Sequence, residues 1–302
     1  MSESVMLGGQ QRGAHRQWIP SMAGAKRLIA ACAVAGAFAF APATTTLAGH
    51  MRGVSVGDPF ASCVGVGGDT NKSGVNYASG EVEPWVADNP DNPRNLIGSW
   101  QQDRWSDGGA KGLVASYSFD SGKRWGETPL PFSLCAAPYY DGAVLQYDRT
   151  SDPWDSIGRE GNAYAVSISF NANDNNNSVG AATSSDGGRT WRNTQTIIAD
   201  STDDPAQPFN DKESVTADPT TAGYAYAVWD RLANVACGPA TPRRRPDSDD
   251  HKLAHTAATA QIRAQAAQAL DCFEGPTYFS RTTNGGRTWE PARPIVSNFV
   301  NQ

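Results

Sequence analysis

Short segments of this chain combine carboxylates, arginines and tryptophans within a few positions of one another. An arginine guanidinium binds a carboxylate in bidentate geometry, and an aromatic face stacks on an apolar ring face. A carboxylic acid can protonate a leaving oxygen. Such a mixture is typical of a site for sugars. The segments contain Asp103, Arg104 and Trp105; Asp148, Arg149, Asp152 and Trp154; Asp211, Lys212 and Glu213; and Asp230 and Arg231.

A repeated pattern predicts the elements that position these residues. It reads Ser/Thr-x-Asp/Asn-x-Gly-x-x-Trp and occurs at residues 118–125, 184–191 and 282–289, each time after a β-prone stretch. The Asp or Asn oxygen can accept backbone N–H groups of a tight turn, and Gly tolerates positive φ. Each Trp is expected to bury a large area beside its turn. The repeat predicts structural roles for Asp120, Asp186, Asn284, Trp125, Trp191 and Trp289.

This pattern resembles the Asp-box, or BNR repeat, of the sialidase superfamily. There the box is the turn between the third and fourth strands of a propeller blade. The third copy departs, with Thr282 and Asn284, but Asn keeps the acceptor oxygen. Segments 83–87, 100–105 and 210–214 also resemble secreted bacterial exo-sialidase-like proteins, and the resemblance covers roughly residue 81 to the C-terminus. It implies a retaining exo-α-sialidase that acts on a glycan and needs no cofactor.

The strand-like segments predict an all-β fold with about three four-stranded propeller blades. The first comprises 85–88, 96–101, 112–117 and the stretch after Trp125; the second 154–170, 179–183 and 194–199; the third 214–218, 224–229, 278–281 and 293–296. Sialidase propellers have six blades, so we expect an incomplete propeller or one completed by self-association. Residues 49–80 are expected to form an entry segment with at most one strand. Residues 233–274 are interpreted as an insertion that contains an Ala-rich helix at 251–270. We expect this insertion to be solvent-exposed rather than to act as a lid over a site.

Composition and the N-terminus predict an exported protein. The net charge is −6 and the pI about 5.2, which argues against nucleic acid but not against an anionic sugar. Lys26 and Arg27 precede an apolar run, and small residues follow as far as Ala48. This is typical of a signal peptide, with the run too short for a membrane span. We therefore predict a leader and signal at 1–48 and a secreted domain at 49–302.

Four cysteines remain after removal of that leader, and an even number in an exported protein favours two disulfides. Of three possible pairings we favour Cys63–Cys135 and Cys237–Cys272, because the second pair brackets the insertion. No Cys-x-x-Cys spacing is present, so no metal site is expected. The Asn-rich run at 171–177 is interpreted as a polar loop rather than a Ca²⁺ site.

The propeller topology predicts where the charged segments meet. If each box is the turn between strands three and four, the loops between strands two and three lie on the opposite face. The resemblance implies that Arg104 and Arg231 bind a substrate carboxylate, that Glu213 or Asp211 is the acid or base, and that Tyr278 is a candidate nucleophile. Further substrate-binding candidates are Asp103, Trp105, Asp152 and Asp230.

The same residues admit two other interpretations. Asp and Arg in propeller loops often pair with each other and fix neighbouring blades. The alternatives to a hydrolase are a non-catalytic propeller that binds glycans or a protein, and an inactive truncated fragment. Arginines that converge beside a Tyr–Glu pair would favour the enzyme. Charged residues that all form salt bridges between blades would favour the binding propeller.

Overall fold

The computed structural model describes residues 52–64, 74–235, 272–296 and 300–301. In this part of the chain the protein is almost entirely β, with two short 3-10 turns at Leu134–Tyr139 and Arg159–Gly161, as the sequence predicts. No described helix has the length and apolar character needed to cross a membrane. The predicted signal peptide, the helical run at 251–270 and Cys237 lie outside the described residues. Those features and the domain boundaries stay predictions.

The strands form three antiparallel blades in chain order. The first blade contains β1 (Glu81–Asn89), β2 (Asn92–Arg104), β3 (Ala110–Ser118) and β4 (Gly126–Pro129). The second contains β5 (Arg149–Ile157), β6 (Ala163–Phe170), β7 (Asn177–Ser184) and β8 (Arg192–Asp200). The third contains β9 (Phe209–Ala217) and β10 (Ala225–Val235), then, after β11 (Cys272–Glu274), β12 (Thr277–Thr282) and β13 (Arg293–Val296).

The blades pack face to face around the inner strands β1, β5 and β9, which contact one another in that order. One apolar core lies between the first two blades, where Ile97 and Leu113 meet Ile157 and Ala182. A second lies between the last two blades and includes Val166 and Trp229. Strands with a neighbour on each face, such as β7, are buried throughout, which explains their continuous run of small and apolar residues.

The described blades do not close into a ring, so the propeller is incomplete within this part of the chain. Val86 on β1 and Ile295 and Val296 on β13 are exposed, because they belong to the first and last blades. Self-association stays a prediction.

The three boxes form the turns between the third and fourth strands of their blades and share one hydrogen-bond pattern. The hydroxyl of the first residue accepts the N–H of the glycine four positions later, at 2.9 Å in every copy. Asp120 and Asp186 accept the N–H four residues on at 2.9 Å, and Asn284 does so at 3.0 Å. Asn therefore replaces Asp without loss of this bond. Glycines in all three turns have positive φ.

The box tryptophans are less alike than predicted. Trp191 is 2% exposed, in the core between the first two blades. Trp125 and Trp289 are only half-buried, which corrects the expectation of a large burial at each turn. Trp125 lies in the first blade, whose outer face has no further blade against it among the described residues. Trp289 covers the edge of the core between the second and third blades.

The segment before the first blade lies along that blade and is tied to it. Cys63 and Cys135 form the predicted disulfide, with Cα atoms 5.6 Å apart. Phe60 is fully buried against Gly112, where a Cβ would lie 2.2 Å from the Phe60 ring. The described residues of 49–80 contain no strand. They form an isolated bridge between Asn76 and Trp105, with backbone hydrogen bonds from Tyr77 N to Arg104 O and from Ser106 N to Val75 O.

A small ribbon was missed by the sequence analysis. The end of β10 pairs with β11, so the predicted insertion boundaries at 233 and 274 lie opposite each other in a ladder. A further strand, β14 (Val300–Asn301), pairs with β11.

Asp155 on β5 is a buried acid beside the first blade. It is 1% exposed, and neither carboxyl oxygen has a hydrogen-bond partner in ordinary geometry among the described residues. Burial raises the pKa of Asp155 to about 7, against a smaller lowering effect of the neighbouring Ser99. The protein therefore folds most favourably when this side chain is neutral.

Replacing Asp186 by Ala should destabilise the protein by about 1–2 kcal/mol, since the turn loses its acceptor for Thr190. Asp186→Asn should cost much less, because Asn284 makes the equivalent bond in the third box. Urea denaturation of the two variants measures the difference. Equal losses would contradict a role for the acceptor oxygen.

Replacing Asp155 by Asn should stabilise the protein at pH values above 7 by up to about 4 kcal/mol. The folded state keeps the proton up to about pH 7, whereas the unfolded chain releases it near 3.8, so wild-type stability falls as the pH rises through this window. Towards pH 4 the gain should vanish. Thermal denaturation across pH checks this, with Asp88→Asn as an exposed control. A gain that does not depend on pH would rule out ionisation as its cause.

Candidate active site at the inner strands

The strand topology agrees with the prediction that the boxes and the loops between strands two and three lie on opposite faces. In the first blade the box bonds to the start of strand two, through Ser121 N to Arg94 O, and in the third blade to the turn between strands one and two, through Gly285 N to Gly223 O. At the other end of the first blade, Glu81 at the start of β1 pairs with Gln102 near the end of β2. The starts of the inner strands and the loops after the second strands thus share the face opposite the boxes.

Each inner strand has a bulge near its start. The register shifts there, and one non-glycine residue has positive φ: Glu83 (54°), Asp152 (51°) and Lys212 (54°). Positive φ is uncommon outside glycine and costs conformational energy. Its recurrence at equivalent positions of three strands marks a built feature, since bulges re-aim side chains. All three residues line one cavity of about 380 Å³, together with Pro84, Trp85, Pro153, Trp154 and Glu213.

The carboxyl groups of Glu83 and Asp152 hydrogen-bond to each other across this cavity. Asp152 also accepts the Lys212 ammonium at 2.7 Å and the Ser151 hydroxyl at 2.6 Å. Glu83 accepts the side-chain amide of Gln101. The pair is therefore fixed by partners on both sides.

The pKa values of the two carboxyl groups are displaced in opposite directions. Burial acts to raise the pKa of Asp152, but hydrogen bonds from Lys212, Ser151 and Glu83 outweigh it and hold this pKa below its usual value. For Glu83, burial and then the hydrogen bond and charge of Asp152 raise the pKa, with smaller opposition from Arg104 and Lys212. Environments that push two pKa values apart distinguish an acid from a base. Of the two groups, Glu83 is therefore the one that holds a proton more readily, and Asp152 is the one that ionises more readily.

Two tryptophans form an aromatic wall beside the pair. Trp85 and Trp154 follow the bulges of β1 and β5 at equivalent positions, and their ring centroids are 3.6 Å apart. Trp85 Nε1 donates to the carbonyl oxygen of Asp155 at 2.8 Å. The stacked rings are thereby held in place, and together with Pro84 and Pro153 they form the apolar part of a cavity whose other lining residues are charged.

The predicted acids of the third blade flank the pair. Glu213 borders the cavity but is 2% exposed, and both its oxygens lack hydrogen-bond partners in the described part of the chain. Burial, and next the charge of Asp152, raises the pKa of Glu213 well above its usual range. Burial also raises the pKa of the half-buried Asp211, which lies opposite Asp230 in the ladder. The roles predicted for Glu213 and Asp211 stay predictions.

Of the predicted arginines, Arg104 lies beside the cavity and Arg231 is engaged elsewhere. Arg104 donates to the Gln101 side-chain oxygen at 2.7 Å, and its charge acts on Glu83. Arg231 forms a bidentate pair with Asp200, at 2.9 and 2.5 Å. This pair joins the end of the second blade to the third. Arg231 does not line the cavity formed by the described residues, and substrate roles for both arginines stay predictions.

The other predicted site residues have structural contacts. Asp103 is fully buried, with Lys111 at 3.0 Å and the Ser79 N–H at 2.7 Å. The guanidinium of Arg149 covers the Trp105 ring at 4.7 Å. The remaining two belong to the third blade: Asp230 accepts the Thr277 hydroxyl, and Tyr278 packs on Trp229 and Arg231. Neither Tyr278 nor Asp103 lines the cavity formed by the described residues.

Sequence reasoning missed Glu83, Trp85 and Gln101 as site residues. A signal was present, since Glu83-Pro84-Trp85 and Asp152-Pro153-Trp154 are the same acid-Pro-Trp pattern in successive blades. Lys212 replaces the acid in the third blade, which hides the repeat. In the described part of the chain, no cluster of three or more His, Cys, Asp or Glu side chains could hold a metal ion.

No family model and no curated protein matches this chain. Among solved structures it is similar to a Penicillium chrysogenum α-L-arabinanase complexed with arabinobiose, at 14% identity and a TM-score of 0.41 over 72% of this chain and 50% of that one. It is also similar to a mutant levansucrase of B. megaterium, at 10% identity and a TM-score of 0.40 over 71% of this chain and 55% of that one. A third similar structure is NanB with Optactamide, at 9% identity and a TM-score of 0.32 over 74% of this chain and 53% of that one.

This chain spans about half the length of these solved structures. Identities this low bear on the fold alone, and the fold described above rests on the strand pairing of this chain.

Replacing Lys212 by Met should raise the pKa of Asp152, because it removes the strongest hydrogen bond that favours the carboxylate. Carboxyl ¹³C chemical shifts followed through a pH titration measure this directly. Lys123→Met, in the exposed first box, should leave the Asp152 titration unchanged. An unchanged Asp152 pKa in Lys212→Met would contradict the assignment of Lys212 as the group that keeps it ionised.

Proposed function

We propose that this protein is a glycoside hydrolase in which Glu83 is the general acid and Asp152 the ionised carboxylate. The observation that carries the proposal is the placement of these two carboxyl groups side by side in one cavity, next to the stacked Trp85 and Trp154 rings. The opposite displacement of their pKa values supports it. Glycosidic bond cleavage commonly needs one protonated and one ionised carboxyl group on either side of the scissile bond. The stacked Trp85 and Trp154 offer the aromatic face on which a sugar ring packs.

In the proposed reaction, the glycosidic oxygen replaces Asp152 as the acceptor of the Glu83 proton. As the bond to that oxygen breaks, positive charge develops on the sugar, and the Asp152 carboxylate stabilises it or bonds to the anomeric carbon. Water then attacks that carbon, and the Glu83 carboxylate takes the proton released. Lys212 keeps Asp152 ionised between turnovers. These reaction steps retain the configuration at the anomeric carbon if Asp152 bonds to the sugar.

The finer proposal is an exo-α-sialidase that removes terminal sialic acid from glycoconjugates. It rests on the resemblance carried by the three boxes and on the cations beside the cavity. Arg104 and Lys212 are the groups available there for the carboxylate of such a sugar. A neutral glycoside is the alternative substrate, because Arg231 is committed to Asp200. We also propose that the chain is secreted, since the Cys63–Cys135 disulfide suits an oxidising compartment.

A non-catalytic binding propeller is the second candidate. The observation that favours it is the use of charged loop residues to fasten blades. Arg149 is bound to Asp107 at 2.8 Å and Arg231 to Asp200 at 2.5 Å, which leaves fewer groups to recognise a transition state. A measurement of glycoside turnover distinguishes the two candidates, because a binding propeller cleaves no glycoside.

The test is release of 4-methylumbelliferone from its α-sialoside and from neutral glycosides, using the purified chain. Glu83→Gln and Asp152→Asn should each lower kcat at least about 100-fold, the usual contribution of a positioned acid or base. Asp141→Asn, at an exposed loop position, is the matched control. Activity should decline at alkaline pH as Glu83 loses its proton and at acidic pH as Asp152 gains one.

Glu213→Gln discriminates between the assignments. If Glu83 is the acid, this variant keeps most of its activity, because Gln resembles the neutral, buried acid. Loss of activity in Glu213→Gln with full activity in Glu83→Gln would restore the acid predicted from sequence. A folded wild type that turns over none of the glycosides would overturn the hydrolase and favour the binder.

A further inference from the structure

A second cavity, of about 690 Å³, lies in the second blade and shares no lining residue with the cavity at Glu83 and Asp152. Its walls are the connection at 144–147, the Asn-rich loop after β6, and the end of β8 with the residues that follow it. The loop after β6 and the connection after β8 belong to the face opposite the boxes. The cleft therefore opens at the rim of the face that carries the candidate active site.

The lining of this cleft combines apolar side chains, among them Val144 and Leu145, with polar side chains that are neutral or acidic, and it includes one aromatic ring. Side-chain amides, a hydroxyl, a carboxylate and a phenol ring contribute to it, from Gln146, Tyr147, Asn171, Asn176, Ser201 and Asp204. No lysine or arginine lines it within the described chain. Amides and carboxylates bind vicinal hydroxyl groups, and a tyrosine face packs against the C–H face of a sugar ring. The absence of a lining cation disfavours an anionic ligand.

The Asn-rich wall is held in one conformation by its own contacts. Asn171 N donates to Asn176 O at 3.0 Å, and the Asn175 N–H donates to the Thr202 hydroxyl at 3.0 Å. Asn176 Oδ1 accepts the Thr202 N–H at 3.1 Å, which ties the loop to the segment after β8. A wall fixed before binding lowers the conformational entropy lost when a ligand binds.

Hydrogen-bonding capacity remains on this fixed wall. Asn176 uses its side-chain oxygen, whereas its Nδ2 donor has no protein partner among the described residues. Gln146 donates its Nε2 hydrogen to Val144 O at 2.9 Å, whereas its Oε1 acceptor has no protein partner among the described residues. A fixed donor, a fixed acceptor and an aromatic ring in one cleft match the alternating hydroxyls and C–H faces of a carbohydrate.

We propose that this cleft is a second carbohydrate-binding site, for a neutral oligosaccharide, that holds a glycan without cleaving it. Its two lining carboxyl groups are engaged by one arginine, since Asp200 is bound to Arg231 and Asn210, and Asp204 lies 3.6 Å from Arg231. The inference does not depend on hydrolysis at Glu83 and Asp152. Its position on the same face suits a glycan whose neutral part occupies the cleft while a terminal sugar approaches the inner strands.

The experiment uses the Asp152→Asn chain, so that hydrolysis cannot consume the ligand, with lacto-N-neotetraose as the neutral probe. Saturation-transfer NMR should detect binding, and titration followed by protein amide shifts should give the affinity. Asn176→Asp keeps the oxygen that braces Thr202 and removes the free donor. It should weaken binding about three- to tenfold, the value of one neutral hydrogen bond. Gln146→Ala should have a similar effect.

Asn173→Ala is the matched control, because Asn173 lies in the same loop but does not line the cleft, and it should bind as the parent does. Amide shift changes confined to residues 144–147, 171–176 and 196–204 would support the site. No binding by the parent, or equal affinity in Asn176→Asp, Gln146→Ala and Asn173→Ala, would overturn it. Failure of the hydrolase proposal would leave these results unaffected.

Discussion

The arrangement of the candidate active site depends on one backbone feature, the bulge near the start of each inner strand. At this bulge a residue with a side chain is held at positive φ, which costs on the order of 1–3 kcal/mol per position. The strand pairing on either side of the bulge and the packing between blades maintain that conformation. Three equivalent bulges around a common centre bring Glu83, Asp152 and Lys212 to one cavity, although they are far apart in sequence.

Charged pairs serve two purposes in this protein. Arg231 with Asp200 is a bidentate pair of low exposure that fastens two blades. The pair of Lys212 with Asp152 is different, because the lysine side chain is 66% exposed and the aspartate 14%. An exposed ammonium contributes little to stability. Lys212 matters instead for the chemistry of the site, because it holds the pKa of Asp152 below its usual value.

Acids that are buried without partners lie near this centre. Asp155 lies beside the first blade, and Glu213 borders the cavity from the third. Burial favours the neutral form of each acid. The pKa of Asp152 is displaced in the other direction, by its hydrogen bonds from Lys212 and Ser151. Differences in solvation and hydrogen bonding, not residue type, therefore set the pKa of each acid in this region.

The turns of this fold could be predicted from the sequence. Three Ser/Thr-x-Asp/Asn-x-Gly-x-x-Trp segments, each after a β-prone stretch, predicted tight turns, because side-chain acceptors and glycines act through contacts a few residues long. The four-stranded blades were predicted from the strand-like segments together with the resemblance to the Asp-box. Cys63–Cys135, favoured among the possible cysteine pairings, is confirmed. The site was predicted only in part: Asp152 and Arg104 were named, whereas Glu83 was not.

Tertiary structure decided which charged residues meet. Asp103 and Arg231 look like site residues in sequence, yet one is buried against Lys111 and the other is bound to Asp200. Partner choice between residues of different blades depends on where the inner strands bulge and on how the blades pack. Local pattern does not encode those distances. The same holds for the pKa values, since their opposite displacement at Glu83 and Asp152 arises from burial and from neighbours that only the folded chain brings together.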